Sequence, residues 1–322
     1  MYRIGIDLGG TNIVAGIVDK DFNIVAKLSR PTRSDRSASE ITEDIAYLCK
    51  NVCSENGIDL ADIDAIGIAS PGAVNNKTGV VEYANNLPFR AYHILDDLRA
   101  LVGKENIYID NDANAAAWGE AVAGAAKGSS HSIMITLGTG VGGGIVIDGR
   151  VESGFNGAGG ELGHVVIEKG GRPCSCGRLG CWEAYSSATA LIKMTQEKID
   201  ECKDQGRDTV LFELVEKAGK VSGKTAFDGA RLGDAAAQEV VDIYLDYLAC
   251  GLVNIINIFQ PEVISLGGGV SNEGDSLVEA LLPRIRKEQY GGGMGFPITD
   301  IRIAKLKNDA GVIGAAVLGM NV

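Results

Sequence analysis

Three apolar runs in this chain end in the same kind of turn: Leu8-Gly9-Gly10-Thr11, Leu137-Gly138-Thr139-Gly140 and Leu266-Gly267-Gly268-Gly269. One glycine-rich turn after a strand is an ordinary tight connection. Three of them, each closing a strand-like run, suggest a duplicated phosphate-binding architecture with two lobes facing a cleft. Glycine is also the compositional outlier, at 44 of 322 residues, twice the usual ~7% and without a collagen period. The glycines gather at the ends of apolar runs, as in chains whose backbone approaches phosphates closely. With 45% hydrophobic residues the chain is not disordered, and its length suggests two domains.

The elements alternate in an α/β pattern. Arg3–Leu8, Ile13–Val18 and Asn23–Leu28 read as successive strands joined by turns, followed by a helix over Ser37–Glu55 with Ile41, Ile45, Leu48 and Val52 on one face. A strand at Ala65–Ala69, a helix near His93–Val102, a strand at Ile107–Asp110 and a helix at Ala113–Val122 come next. Ser132–Leu137 and Gly144–Ile147 then repeat the opening pair of strands. Helices dominate from Ser186 to Gln260, with Leu248–Phe259 reading as a core helix because it is too short for a bilayer and carries Asn254 and Asn257. The strand Val263–Leu266, a helix near Leu277–Glu288, the strand Ile301–Ala304 and a last helix, Ala310–Met320, complete the pattern.

Three motifs carry chemistry. In Asp7-Leu8-Gly9-Gly10-Thr11-Asn12, two glycines let backbone N–H groups face a phosphate, Thr11 adds a hydroxyl, and Asp7 at the strand end suits Mg²⁺. No lysine ends this loop and no helix pattern follows it, so it is not a Walker A loop. In Asn111-Asp112-Ala113-Asn114, Asp112 has two readings: a helix N-cap, or a carboxylate that accepts a substrate proton. The most specific motif is His164 followed by Cys174-Ser175-Cys176-Gly177-Arg178-Leu179-Gly180-Cys181. Three thiolates and one imidazole are the Cys₃His donor set of a tetrahedral structural Zn²⁺. Glu161 and Glu183 flank this cluster, and carboxylates held in place suit the hydroxyls of a polyol.

Charge narrows the partners. The chain carries 30 Lys+Arg against 42 Asp+Glu, a formal net charge of −12, which disfavours nucleic acid and membrane surfaces as electrostatic partners. Met1 leads almost directly into a strand pattern, so no secretory signal is expected. Seven cysteines, three of them between 174 and 181, point to the cytoplasm and a metal site rather than a disulfide framework.

On Asp7–Asn12, Asn111–Asn114, Leu137–Gly144, Glu161-Leu162-Gly163-His164, the cysteine cluster through Glu183, and Leu266–Gly269, the sequence resembles the sugar kinases of the ROK family (repressors, open reading frames and kinases). That family lies within the actin-like ATPase superfamily, and the match runs over nearly the whole chain. The resemblance implies an α/β, two-lobed actin-like ATPase (ribonuclease H-like) fold, with residues 1–112 plus 306–322 as the small lobe and 113–305 as the large lobe. It implies ATP-dependent phosphorylation of a hexose, glucose first, with Asp112 as general base and Asn111, Glu161, His164 and Glu183 holding the sugar. Zinc would sit on His164, Cys174, Cys176 and Cys181. Asp7, Gly9, Gly10, Thr11 and Asn12 with Gly138, Thr139 and Gly140 would cradle the phosphates of ATP with its Mg²⁺, and Gly267 and Gly268 would lie against the nucleotide. Ser70-Pro71-Gly72 and Asn86-Leu87-Pro88 resemble sugar-side loops, which adds Gly72 and Asn86. A homodimer is implied too. N-acetylmannosamine, fructose and allose are the alternative substrates. A sugar-sensing transcriptional regulator of the same family is the alternative of another class, disfavoured because the Asp7 motif leaves no room before it for a helix-turn-helix.

Overall fold

The computed structural model describes residues 1–292 and 294–320; Asn321 and Val322, the end of the segment 306–322 assigned above to the small lobe, lie outside the described residues. An antiparallel meander opens the chain: β1 (Tyr2–Leu8), β2 (Asn12–Val18) and β3 (Ile24–Pro31). α1 (Ala38–Ser54) starts on a reciprocal cap, in which the Ser37 hydroxyl accepts from the Glu40 N–H (3.3 Å) and the Glu40 carboxylate accepts from the Ser37 N–H (2.9 Å). Its buried face carries Ile41, Ile45, Leu48 and Val52, as the spacing predicts.

β4 (Ile63–Ser70) leads into three short strands, β5 (Ala73–Asn75), β6 (Val80–Tyr83) and β7 (Arg90–Tyr92), which form a small sheet of their own. At three or four residues each they carry too little periodicity to be read from sequence. α2 (Ile94–Val102), β8 (Ile107–Asn111) and α3 (Asp112–Ala123) follow. Then come β9 (Ser132–Leu137), β10 (Val141–Ile147) and β11 (Arg150–Val151). The helices α4 (Glu183–Ser186), α5 (Ala188–Asp204), α6 (Leu211–Ala218), α7 (Thr225–Arg231) and α8 (Ala235–Phe259) come before β12 (Val263–Gly267), α9 (Asp275–Glu288), β13 (Asp300–Ile303) and α10 (Ala310–Ala316).

Two five-stranded sheets run β3-β2-β1-β4-β8 and β11-β10-β9-β12-β13. Ranked along the chain, both orders read 3-2-1-4-5. β1, β4 and β8 are mutually parallel, as are β12 and β13. By contacts the chain divides into two compact units: Met1–Met134 with Gly143–Gly160 and Ala304–Val322, and Ile135–Gly142 with Glu161–Ile303. α8, in the second unit, is long and apolar enough to cross a membrane by length and composition. However, 56% of its most apolar window is buried inside the protein, which fits the core-helix reading.

The first unit is held by backbone-to-backbone packing of its last helix. A Cβ on Gly5 of β1 would stand 1.8 Å from the Val312 carbonyl oxygen, and one on Gly67 of β4 the same distance from that of Ala315. On the other face of α10, a Cβ on Gly314 would stand 1.7 Å from the Ala115 carbonyl oxygen of α3. Bare glycine backbone is what lets the helix touch both neighbours. At the far end of α3 the fully buried Glu120 accepts three backbone N–H groups, from Ala125 (2.6 Å), Lys305 (3.1 Å) and Leu306 (2.7 Å). The last helix is shorter than the expected Ala310–Met320. Its C-cap is Val317, whose carbonyl takes the Trp118 indole N–H at 3.2 Å, and the chain then turns at Gly319 (φ 75°) against Tyr108.

Gly314→Val should destabilise the protein by about 3 kcal/mol or more, at the upper end of core overpacking, because a backbone carbonyl cannot swing aside. Urea titration followed by circular dichroism measures it; a midpoint within error of wild type would remove α10 as the clamp of this unit.

Candidate functional site

In the first unit the glycine loop after β1 is closed by its own backbone, Gly9 N–H to Asn12 C=O at 2.9 Å. The fully buried Thr32, which the sequence does not single out, ties the loop from behind. Its hydroxyl donates to the Gly9 carbonyl (2.6 Å) and its N–H to that of Thr11 (2.8 Å). Asp7 stands at the end of β1, and a Cβ on Gly311, at the start of α10, would meet the Asp7 carboxylate at 2.9 Å. Burial, and secondly the charge of Asp112, push the Asp7 carboxyl up to about 6. Asp7 and Asp112 are therefore close enough to repel, and a cation between or beside them relieves that repulsion.

The helix cap falls on Asn111 rather than Asp112. The Asn111 side-chain oxygen accepts from the N–H groups of Ala113 (2.9 Å) and Asn114 (3.3 Å), and its amide donates to the Gly72 carbonyl (3.0 Å). Asp112 is the first residue of α3, exposed, with Oδ1 accepting from the Ala113 N–H at 2.8 Å. The structure thus assigns the cap to Asn111 and leaves Asp112 as an exposed carboxylate in the first turn of the helix. Gly72 has φ 93°, and a Cβ there would meet the Tyr83 carbonyl oxygen at 2.1 Å. Asn86 is exposed on the loop between β6 and β7, and its Cβ lies 3.6 Å from a Cβ built on Gly10.

Behind this turn is a polar network, buried at Asp110, Asn114 and Ser153 and exposed at Asn76, that sequence reasoning missed. The Asp110 carboxylate accepts from the Asn111 N–H (2.7 Å), the Asn114 amide (2.9 Å) and the Asn76 amide (3.0 Å). The Ser153 hydroxyl lies 3.4 Å from the Asn76 amide and 3.5 Å from that of Asn114. Asp110 reads in sequence as the end of a strand, and Asn76 and Ser153 as loop polar residues. Only the fold brings them together.

The second unit assembles the other motifs. The loop Gly138–Gly140 is closed by Gly138 N–H to Gly140 C=O (3.0 Å) and held by Ala188 N–H to Gly138 C=O and the Thr189 hydroxyl to Thr139 C=O, both 2.8 Å. Gly268 (φ 83°) follows β12, and a Cβ there would lie 2.6 Å from the Leu137 backbone, so the loops at 138–140 and 267–269 are neighbours. Glu183 bridges the first of them to the cysteine loop. Its Oε2 accepts from the Val141 N–H (3.0 Å), and its Oε1 from the Ser175 hydroxyl (3.2 Å) and the Cys174 thiol (3.6 Å).

The cysteine loop is a tight hairpin, bridged between Pro173 and Leu179, with Cys174 N–H on the Arg178 carbonyl (2.9 Å). The donor atoms of His164, Cys174, Cys176 and Cys181 all lie within 4.8 Å of one another. Cys176 and Cys181 sulfurs are 3.7 Å apart, and Cys174 Sγ is 3.6 Å from His164 Nδ1. Tetrahedral coordination with Zn–S near 2.3 Å and Zn–N near 2.1 Å requires about 3.8 and 3.6 Å, so these two separations match and the donor set is compatible with zinc. Burial, with the adjoining thiols, pushes Cys181 up to about 12, while the Arg178 backbone N–H lowers Cys176. The other ring nitrogen of His164, Nε2, faces Glu161 Oε2 at 3.8 Å.

Of the expected site residues, Asp7, Gly9, Gly10, Thr11, Asn12, Gly72, Asn86, Asn111 and Asp112 thus fall in the first unit. Gly138, Thr139, Gly140, Glu161, His164, Cys174, Cys176, Cys181, Glu183, Gly267 and Gly268 fall in the second.

The chain belongs to the ROK family, whose family model matches residues 3–321. It is 38% identical over 318 residues to the glucokinase of Halalkalibacterium halodurans, covering 98% of this chain and 94% of that one. To the glucokinase of Thermotoga maritima it is 35% identical over 314 residues, covering 97% and 95%. A solved ROK family glucokinase from Streptomyces griseus, in complex with glucose and AMPPNP, matches with a TM-score of 0.79 at 34% identity over 99% of each chain. The fold is accordingly the α/β actin-like ATPase fold of these kinases.

The raised Asp7 carboxyl has a stability signature. A folded-state pKa of about 6 against an ordinary 3.8 means the folded protein holds that proton more tightly than the unfolded chain. The associated stability is complete below pH 3.8 and is lost as pH rises through 6. In metal-free buffer at pH 8, Asp7→Asn should therefore stabilise the protein by roughly 3 kcal/mol, since the rise is from 3.8 to about 6 and one pKa unit is about 1.4 kcal/mol. The gain should vanish near pH 4. Thermal melts of both proteins across that range test it, and a variant less stable than wild type at pH 8 would show that Asp7 is not electrostatically strained.

Proposed function

We propose that this protein phosphorylates a hexose at the expense of ATP, glucose to glucose 6-phosphate first among the substrates, with Asp112 as the general base. The observation that carries the reading is the exposed Asp112 carboxylate at the head of α3, next to the cap residue Asn111 and close enough to Asp7 to raise its pKa. Glucokinase relatives matched over nearly the whole chain, and the kinase structure holding glucose and AMPPNP, support the same activity.

Asp112 accepts the proton of the sugar 6-hydroxyl as that oxygen attacks the γ-phosphorus and the bond to the ADP oxygen breaks. Mg²⁺ carried with ATP neutralises phosphate charge, and Asp7 is the carboxylate that would hold it. The backbone N–H groups of the loops at 9–12 and 138–140 face the phosphates, and the loop at 267–269 lies against the nucleotide. Asn111, Glu161, His164 and Glu183, with Gly72 and Asn86, orient the sugar; carboxylates accept from hydroxyls, which fixes a polyol's rotation.

Structural zinc on His164 Nδ1 and the sulfurs of Cys174, Cys176 and Cys181 would lock the hairpin that positions Glu183, leaving His164 Nε2 toward Glu161. All seven cysteines are free, which supports a reducing, cytoplasmic setting. A homodimer is part of the proposal; exposed Ile258, Tyr290, Met294 and Phe296 on the second unit favour an apolar interface there.

A coupled ADP-release assay against glucose, fructose, allose and N-acetylmannosamine should show turnover with glucose foremost. Asp112→Asn should lower kcat by about 10²–10⁴-fold, the usual worth of a positioned base, with sugar affinity within several-fold. Near-normal turnover in that variant would remove Asp112 from its role. Protein purified without added metal should contain about one zinc per chain and run in light scattering at twice the 33.7 kDa chain mass. Cys176→Ala should lose the metal and weaken sugar binding; a metal-free variant with full activity would refute a structural site.

A further inference from the structure

Asn114 is the one polar side chain of the Asn111–Asn114 motif that neither caps the helix nor meets substrate in the reading above. It is 2% exposed, and its amide nitrogen donates to Asp110 Oδ1 at 2.9 Å. A carboxylate only accepts, so the NH₂ has to face Asp110 and the amide oxygen has to point the other way. That oxygen is buried and has no hydrogen-bond partner. An orphaned buried acceptor is costly, and native proteins keep few of them without a reason.

On the side of this oxygen stands Gly160, where a Cβ would lie 3.7 Å from Asn114 Oδ1 and 3.2 Å from the Gly143 carbonyl oxygen. Gly160 ends a compact loop that begins at Ser153 and is closed by Gly159 N–H to the Ser153 carbonyl at 2.8 Å. The loop's first residue also belongs to the network, since the Ser153 hydroxyl lies 3.5 Å from the Asn114 amide. The residue after Gly160 is Glu161. Asn114 therefore lies two residues from Asp112 along α3 and against the loop that delivers Glu161.

We propose that Asn114 is a positioning residue of the kinase reaction: in the sugar-bound protein its Oδ1 accepts the backbone N–H of Gly160, so one side chain sets both the turn carrying Asp112 and the loop leading into Glu161. This inference rests on the kinase reading above. The free protein keeps the acceptor unpaired, and the hydrogen bond is made when the sugar draws the loop in. Binding energy is thereby spent on orientation, where displacement by about 1 Å can cost 10²-fold in rate. Asp110 and Ser153 hold the amide in the rotamer that makes this possible.

The test compares wild type, Asn114→Ala and Ser153→Ala for kcat, for KM toward glucose and ATP, and for the rise in melting temperature on adding glucose. In Asn114→Ala, kcat should fall by about 10–100-fold, glucose KM should rise about tenfold, ATP KM should stay within about threefold, and the glucose-induced rise should shrink. A merely structural asparagine would lower the melting temperature and leave kcat and glucose KM of the folded protein at wild-type values; that result overturns the proposal. Should Asn114→Ala fail to fold, Ser153→Ala decides. It leaves the Asp110–Asn114 bond intact, and glucose KM should rise several-fold with ATP KM unchanged, whereas an unchanged glucose KM overturns the proposal. Wild type without turnover on any hexose would instead overturn the kinase reading, so the two failures are distinct.

Discussion

The first unit depends on a contact between bare backbones. α10 lies on β1 and β4 where Gly5 and Gly67 leave no side chain, and Gly314 lets it meet α3 in the same way. Such a contact buries carbonyls already satisfied within the helix and packs main chain on main chain, so it tolerates no added methyl group. The start of α3 is set by this clamp. Asp112 heads α3, whose body is pressed by α10 and whose tail is pinned by Glu120 to the backbone of Lys305 and Leu306. The end of the chain thereby orients a residue in its first half.

In the second unit the equivalent task falls to a carboxylate and a hairpin. Glu183 accepts from the Val141 N–H on one oxygen and from the cysteine hairpin on the other. Whatever fixes that hairpin fixes the glycine loop behind it. The donor atoms of His164, Cys174, Cys176 and Cys181, all within 4.8 Å of one another, draw that hairpin onto one point. Both units thus treat a glycine loop alike: the loop is closed by its own hydrogen bond and tied from behind by a threonine hydroxyl, Thr32 in one and Thr189 in the other.

Much of this was legible along the chain. The strand ends at 8 and 137, a third within one residue of 266 (β12 runs to Gly267), the apolar face of α1 and the spacing of His164 with three cysteines are local patterns, and local patterns survive translation into structure. The three short strands β5, β6 and β7 were not legible, because so few residues carry no period. Nor was the division of labour between Asn111 and Asp112: both are good caps by type, and only the backbone at the end of β8 assigns the cap to the first. The Asp110, Asn76 and Ser153 network joins residues from three separate loops or strand ends, which no spacing rule connects.

Residue types and their local spacing were enough to set the class of the protein. Glycine turns, a cysteine–histidine set and paired carboxylates demand particular residue types, and those types are visible wherever they occur. What surrounds them is a property of the folded chain: which carboxylate is crowded enough to hold its proton to about pH 6, which asparagine caps and which is left with an unpaired oxygen. Those properties belong to burial and to neighbours distant in the chain. Desolvation and hydrogen-bond satisfaction are set by everything within a few ångströms, and the order of residues does not specify that company.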